Sequence, residues 1–225
     1  MAIDFAGSGS DVVSFGSVAS LGGLNQISVL VWADFDAYAT AQRILEAANA
    51  GTDAGFEISF DASQRLNFIG FATGTDGGWY SSTLSTGRRH LVFTFDGTTP
   101  GNDPLIYHDG VSQSVTTNAN FTGTFLTASE MRVGNYKTSS LSMNGRILSI
   151  LVYNRIFSAS EISDAYNSRL AVPSWRGLVF APQLWTVKDG DAVGTIRDLI
   201  SGAAGTPAGS PIGRGDDVLR IEGIN

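Results

Sequence analysis

LSMNGRILSILVYNRIFSASEISDAYNSRLA, Leu141 to Ala171, is the stretch from which the rest of the chain can be read. Its first half, Arg146 to Tyr153, is rich in apolar residues, with β-branched Ile147, Ile150 and Val152. That composition predicts a buried or half-buried strand. The period then changes. Ser158 followed three residues later by Glu161 is a capping box, which predicts a short helix over roughly 158–170. Ile162, Ala165, Tyr166 and Leu170 recur at helical spacing and give it one apolar face. A strand running into a short surface helix closes a β structure, so the preceding segments are read as the sheets it closes.

Upstream, Ala2 to Ala6 and Asp11 to Phe15 read as short strands around a Gly-Ser turn. Gln26 to Phe35 is a nearly continuous apolar run and belongs mid-sheet, with Trp32 as a core ring. Arg43 to Ala48 and Gly55 to Phe60 flank a turn cluster, and Arg65 to Phe71 alternates as a strand. Gly74 to Ser82, GTDGGWYSS, reads as a Gly-Asp loop presenting Trp79 and Tyr80. Arg89 to Phe95 is a strand. Leu105 to His108 and Val111 to Thr117 flank Asp109-Gly110, a strong hairpin signal. Glu130 to Tyr136 precedes the closing strand. About a dozen short strands at this spacing predict an all-β, two-sheet antiparallel sandwich or jelly roll.

At 225 residues the chain can form one large β domain that buries its own core. With no cysteine, disulfides and thiolate metal sites are excluded, and two histidines argue against a zinc site built on histidine. The net charge of −7 argues against nucleic acid and anionic membranes as partners, because both call for basic patches. Met1 is followed directly by an alternating segment, so no signal peptide is expected.

The search for catalytic chemistry returns little. Glu57 and Asp61 share a strand face but lie about 13 Å apart at ~3.3 Å per residue. That exceeds the ~5–9.5 Å used by either glycosidase mechanism, and a solvated strand edge is the preferred reading. His90 is expected to be structural and His108 to lie at the surface beside the hairpin turn. Asp34, Asp36, Asp53, Asp76, Asn102 and Asp103 are the oxygens that could converge on calcium, although turn formation is the preferred reading of them. Without calcium, no cofactor is expected. Trp79, Tyr80 and Asp76 form the candidate ligand-binding group, with the aromatics as a sugar-stacking platform, although packing of the two rings against a neighbouring loop or subunit is the preferred reading. Arg214-Gly215-Asp216 is read as a chance turn.

Taken in order, AIDFAGSGSDVVSFG, ISVLVWADF, LSTGRRHLVFTFDG, LIYHDGVSQS, MRVGN and MNGRILSILVYNRIFSASEISDAY resemble the concanavalin A-like, laminin G-like jelly-roll family. The resemblance runs to about Leu170 and implies two antiparallel sheets packed face to face. The glycosidase members' E-x-D-x-E pattern is absent, so no enzyme activity is expected. Residues 1–172 are expected to form the jelly roll. In the extension 173–225, GLVFAPQLW and VGTIRDLISGAAGTP resemble the segment that usually precedes the family's first strand. It is expected to complete the same sandwich as a permuted leading strand or to reach a neighbouring subunit. The family includes structural parts of bacteriophage virions as well as carbohydrate-binding modules and lectins. The leading expectation is a non-enzymatic virion component, such as a capsid decoration protein, made in the host cytoplasm. Its partners would be identical copies or another virion protein. The alternative is a carbohydrate-binding module or lectin.

Overall fold

The structure is a computed structural model that describes residues 2–214 except 8–9, 17, 22, 38–40, 50–51, 100, 137–140, 169–172, 185–189 and 191. Its frame is strand β13 (Asn144–Tyr153), paired antiparallel on one side with β3 (Gln26–Phe35) and on the other with β1 (Ala2–Ala6). A bulge between Ile147 and Ser149 keeps Ile147, Ile150 and Val152 in the main core. Leu151 and Tyr153 then face the opposite side. The continuous apolar run therefore reflects a strand buried on both faces.

That second face is covered by helix α1 (Ala159–Ser168), where Ile162 and Ala165 pack on Leu30, Val92, Leu151, Tyr153 and Phe157. The capping box forms as predicted: Ser158 N–H donates to Glu161 Oε2 at 2.9 Å, and Glu161 N–H returns to Ser158 Oγ at 3.3 Å. Ten residues would not hold a helix alone, so packing on the sheet keeps it formed.

The first sheet continues from β3 through β8 (Gly87–Asp96), β9 (Leu105–His108) and β10 (Val111–Ser112). The β9–β10 turn has Asp109 at φ 51° and Gly110 at φ 78°, the left-handed pair that a two-residue hairpin requires. The second sheet runs, in spatial order, through β11 (Thr116–Ala119), β7 (Gly77–Thr83), β6 (Arg65–Gly70), β5 (Thr52–Phe60), β4 (Gln42–Asn49), β12 (Glu130–Val133) and β2 (Val12–Phe15). Between the sheets lies an aromatic core that includes Phe5, Phe15, Phe35, Phe56, Phe60, Phe68, Phe93 and Phe95. The architecture is the all-β, two-sheet antiparallel jelly roll with one helix that the sequence predicts.

The tail pairs with both sheets. β14 (Leu178–Phe180) pairs with β13, and β17 (Ile212–Arg214) pairs with β1. β15 (Ile196–Arg197) pairs with β16 (Ala204–Ala208), which extends the second sheet beyond β2. Gly205 permits this last pairing, since a Cβ there would fall 2.5 Å from the Phe15 ring. Buried Asp198 pins the turn by accepting Ala181 N–H at 2.7 Å and Ser201 N–H at 2.7 Å. The expected leading strand, 177–185, is shorter than predicted, and Pro182 makes only an isolated bridge to Asp198. The pairing expected of Val218 to Ile221 lies outside the described residues, as do Gly215 and Asp216 of the adhesion-like tripeptide.

Candidate functional site

The stretch read as a Gly-Asp loop is strand β7 for most of its length. Its alternation sends Gly77, Trp79 and Ser81 inward and Gly78, Tyr80 and Ser82 outward. Trp79 is 2% exposed and packs against Phe95 at 4.9 Å and Phe68 at 5.7 Å between ring centroids. Its indole N–H donates to Asp103 Oδ1 at 2.7 Å. Trp79 is thus a core residue, and no sugar can stack on it. Asp76 is exposed and ties its own turn by accepting Ala72 N–H at 2.8 Å. Of the three expected ligand residues, only Tyr80 presents a ring on the open side of the sheet.

Tyr80 sits in a cross-strand row on the outer face of the second sheet: Arg43, Ser59, Asn67, Tyr80, Thr116. Arg65 stacks over its ring at 3.9 Å and is held there by Asp61, Nε to Oδ2 at 2.7 Å. Asn67 is half-buried, while Thr116 and Ser82 are exposed. Gly78, two residues back on the same face, adds no side chain, and a Cβ there would meet nothing closer than 3.9 Å. The β6–β7–β11 half of the face is therefore solvent-open, with one aromatic ring beside hydrogen-bonding side chains.

The neighbouring half holds buried charge. Arg132, Glu46 and Glu57 are direct cross-strand partners over β12, β4 and β5. Glu57 is 2% exposed; it pairs with Arg43 at 2.8 Å and accepts the Ser59 hydroxyl at 2.9 Å. Glu46 is 0% exposed and meets Arg132 at 3.4 Å, while Arg132 also binds Glu130 at 2.7 Å. Glu46 Oε1 has no hydrogen-bond partner. Burial raises both glutamate pKa values above the ordinary carboxylate value, partly offset by Arg132 for Glu46 and Arg43 for Glu57. Opposed carboxylates on adjacent strands come close to the separation a retaining glycosidase uses, about 5 Å. Here each is committed to an arginine and closed to solvent.

Glu57 is therefore not the solvated edge residue expected, because β5 lies inside the sheet rather than at its rim. His108, expected at the surface, is 8% exposed and hydrogen-bonded through Nε2 to Ser81 Oγ at 3.0 Å. The strand alternation that turns Ser81 inward also turns His108 toward it. His90 is wholly buried, its ring 4.6 Å from Trp32 and 5.8 Å from Tyr166. Burial lowers both histidine pKa values to about 4.

The oxygens considered for calcium are scattered. Asp34 binds Arg146 at 2.7 Å, Asp103 serves Trp79 and Thr117, and Asn102 donates to the Asp96 carbonyl at 3.2 Å. Among the described residues, no three His, Cys, Asp or Glu side chains gather as a metal would need. A small apolar cavity of about 10 Å³ near Leu24, Phe56 and Phe125 is too small for a sugar.

The two-sheet frame with one polar, partly open face defines a lectin-like β-sandwich. The chain belongs to the concanavalin A-like lectin/glucanases superfamily, whose sequence profile matches residues 7–163. Comparison with curated protein sequences finds no match. Among solved structures, a provisionally named carbohydrate-binding protein from Bacteroides ovatus superposes with TM-score 0.63 at 15% identity, over 94% of this chain. This chain spans 60% of that protein's length. A heptameric SAP-like pentraxin from Limulus polyphemus gives TM-score 0.57 at 14% identity, covering 74% of this chain and 82% of the pentraxin. The CBM40 of Ruminococcus gnavus IT-sialidase, solved with α2,3-sialyllactose, gives 0.54 at 12% identity, covering 72% of this chain and 96% of the module. At such identities the likeness is one of fold.

Proposed function

We propose that the chain is a non-catalytic carbohydrate-binding module or lectin whose ligand lies on the outer face of the second sheet around Tyr80. The observation that carries this reading is the cross-strand row itself. A half-buried tyrosine held by Arg65 is flanked by Asn67 and Thr116, with a side-chain-free step at Gly78. An aromatic body with convergent hydrogen-bonding groups suits a ring that is apolar on its faces and polar at its edge. Carbohydrate binding named for two structures of the same fold supports it. The test is a glycan array with the wild-type chain and Tyr80→Ala. Glycan binding by the wild type that falls about tenfold or more in the variant, with melting unchanged, is expected. An array on which wild type and variant behave alike would overturn this placement.

A second reading keeps the expected role as a structural component of a bacteriophage particle, located in the virion and contacting identical copies or a shell protein. Leu105 and Val111, 51% and 63% exposed at the edge hairpin of the first sheet, favour it. Concentration-dependent assembly abolished by Val111→Asp, in a chain that binds no glycan, would move the balance to this reading.

A further inference from the structure

The charge on this face sets a ligand class, given the carbohydrate reading above. Among the described residues, five carboxylates lie on or beside it: Asp53, Glu46, Glu57, Asp61 and Glu130. Three described arginines answer them: Arg43, Arg65 and Arg132. Each of these guanidiniums is already ion-paired, although Arg43 Nε makes no aligned hydrogen bond. Arg43 holds Glu57 at 2.8 Å, Arg65 holds Asp61 at 2.6 Å, and Arg132 bridges Glu46 at 3.4 Å and Glu130 at 2.7 Å. Arg43 also lies 4.9 Å over the Tyr136 ring, and the Tyr136 hydroxyl donates to Asp53 at 3.4 Å. Within this block Glu46 Oε1, wholly buried, accepts no hydrogen bond.

A sugar carboxylate arriving here meets no uncommitted arginine among these three. To gain one it must displace Glu57, Asp61, Glu46 or Glu130, and so leave a partly buried carboxylate unpaired. If it displaces none, it adds negative charge beside a net-acidic surface. An ammonium group meets the opposite field, and an uncharged sugar is indifferent to it. We infer that this face discriminates against carboxylated glycans and ranks ligands with amine-bearing glycans first, uncharged ones second and acidic ones last. The order differs from that expected of a sialoside reader, even though the fold is shared with one that was solved with sialyllactose.

The experiment is an array of matched glycans: neutral cores, their sialylated or uronic counterparts, and non-acetylated hexosamine oligomers, probed with the intact chain at low and high salt. Acidic counterparts are expected to bind about tenfold or more weakly than their neutral cores at low salt, with the gap narrowing at high salt. Asp61→Asn, which removes the charge that occupies Arg65 beside Tyr80, should raise binding of the acidic members severalfold relative to the neutral ones. Equal or tighter binding of acidic members by the wild type, or no change in that ratio on Asp61→Asn, would refute the charge inference and leave carbohydrate binding standing. A chain that binds no glycan of any class would sink both.

Discussion

His90→Phe should remove a large part of the protein's acid sensitivity. The imidazole packs at a tilt of 34° against Trp32 and stacks near Tyr166 of helix α1, fully buried, with neither ring nitrogen hydrogen-bonded. The facing charges are few: Asp109, whose Oδ1 accepts the His90 backbone N–H at 2.8 Å, and Arg89, itself paired with Asp109 at 3.0 Å. Desolvation outweighs Asp109 and lowers the pKa from 6.5 to about 4. In the unfolded chain the ring takes up a proton below pH 6.5, whereas in the folded chain it stays neutral until about pH 4. The stability tied to a neutral His90 is thus full above pH 6.5 and is lost progressively as the pH falls toward 4. At 1.36 kcal/mol per pH unit this interval corresponds to roughly 3 kcal/mol. Phenylalanine keeps the stack and titrates nowhere. It also spares the cost of two unsatisfied ring nitrogens, so His90→Phe should be neutral to stabilising at pH 7. Urea unfolding of both proteins from pH 7 to pH 4 measures the difference, and imidazole NMR locates the titration. His108, with its pKa also at about 4, leaves a residual acid loss in the variant. Parallel stability curves, or a folded-state His90 titrating near 6.5, would refute the reasoning.

Trp79→Ala should cost about 3–5 kcal/mol by urea unfolding, at least as much as Trp32→Ala, because Trp79 fills the main core while Trp32 lies in a smaller cluster with Ala2 and Leu148. Glu46→Gln should raise the melting temperature at pH 7 and leave it unchanged at pH 4. The raised pKa of a buried acid means that stability is lost as pH climbs from the unfolded value through the folded one, and Gln has no such loss. Truncation after Leu170 should give insoluble protein, since it strips β16 from β2 and β17 from β1 and exposes two sheet edges backed by Phe15 and Ile3; a soluble fragment with unchanged melting would show the tail to be dispensable.

The closing strand and helix were legible because their signals are local. A β-branched run and a Ser158–Glu161 box need no partner to be recognised. The Asp109-Gly110 turn was legible for the same reason, since only a left-handed pair closes so short a turn, but the strand expected after it, Val111 to Thr117, is β10 for two residues and then β11 in the other sheet. Strand β7 was hidden by its glycines. Gly77-Gly78 reads as a turn, yet Gly77 is needed because a Cβ would lie 2.0 Å from the Trp79 ring. A glycine that makes room for a neighbouring side chain has the same sequence signature as one that bends the chain.

The charged half of the face was illegible for a different reason, which also explains why the site is a property of the sheet. Along the chain, the carboxylates at face-sharing spacing from Glu57 are Asp53 and Asp61, each four residues away, or about 13 Å at ~3.3 Å per residue, too far to suggest a close pair. Its partner Glu46 lies on β4, placed opposite by irregularities between Arg43 and Leu45 and between Glu46 and Ala48. Each irregularity shifts which residues share a face, so counting residues along either strand assigns the wrong neighbours. Arg132, more than eighty residues downstream, enters through β12 only because that strand lies beside β4. Asn67 and Thr116 likewise reach Tyr80 through pairing, not proximity in the chain. Changing one of these side chains leaves the frame in place, because the core faces of the same strands are filled by Phe56, Ile58, Phe68 and Met131. The fold and the face can therefore vary independently, and under the carbohydrate reading proposed above any ligand preference resides in the charge pattern of the face rather than in the frame.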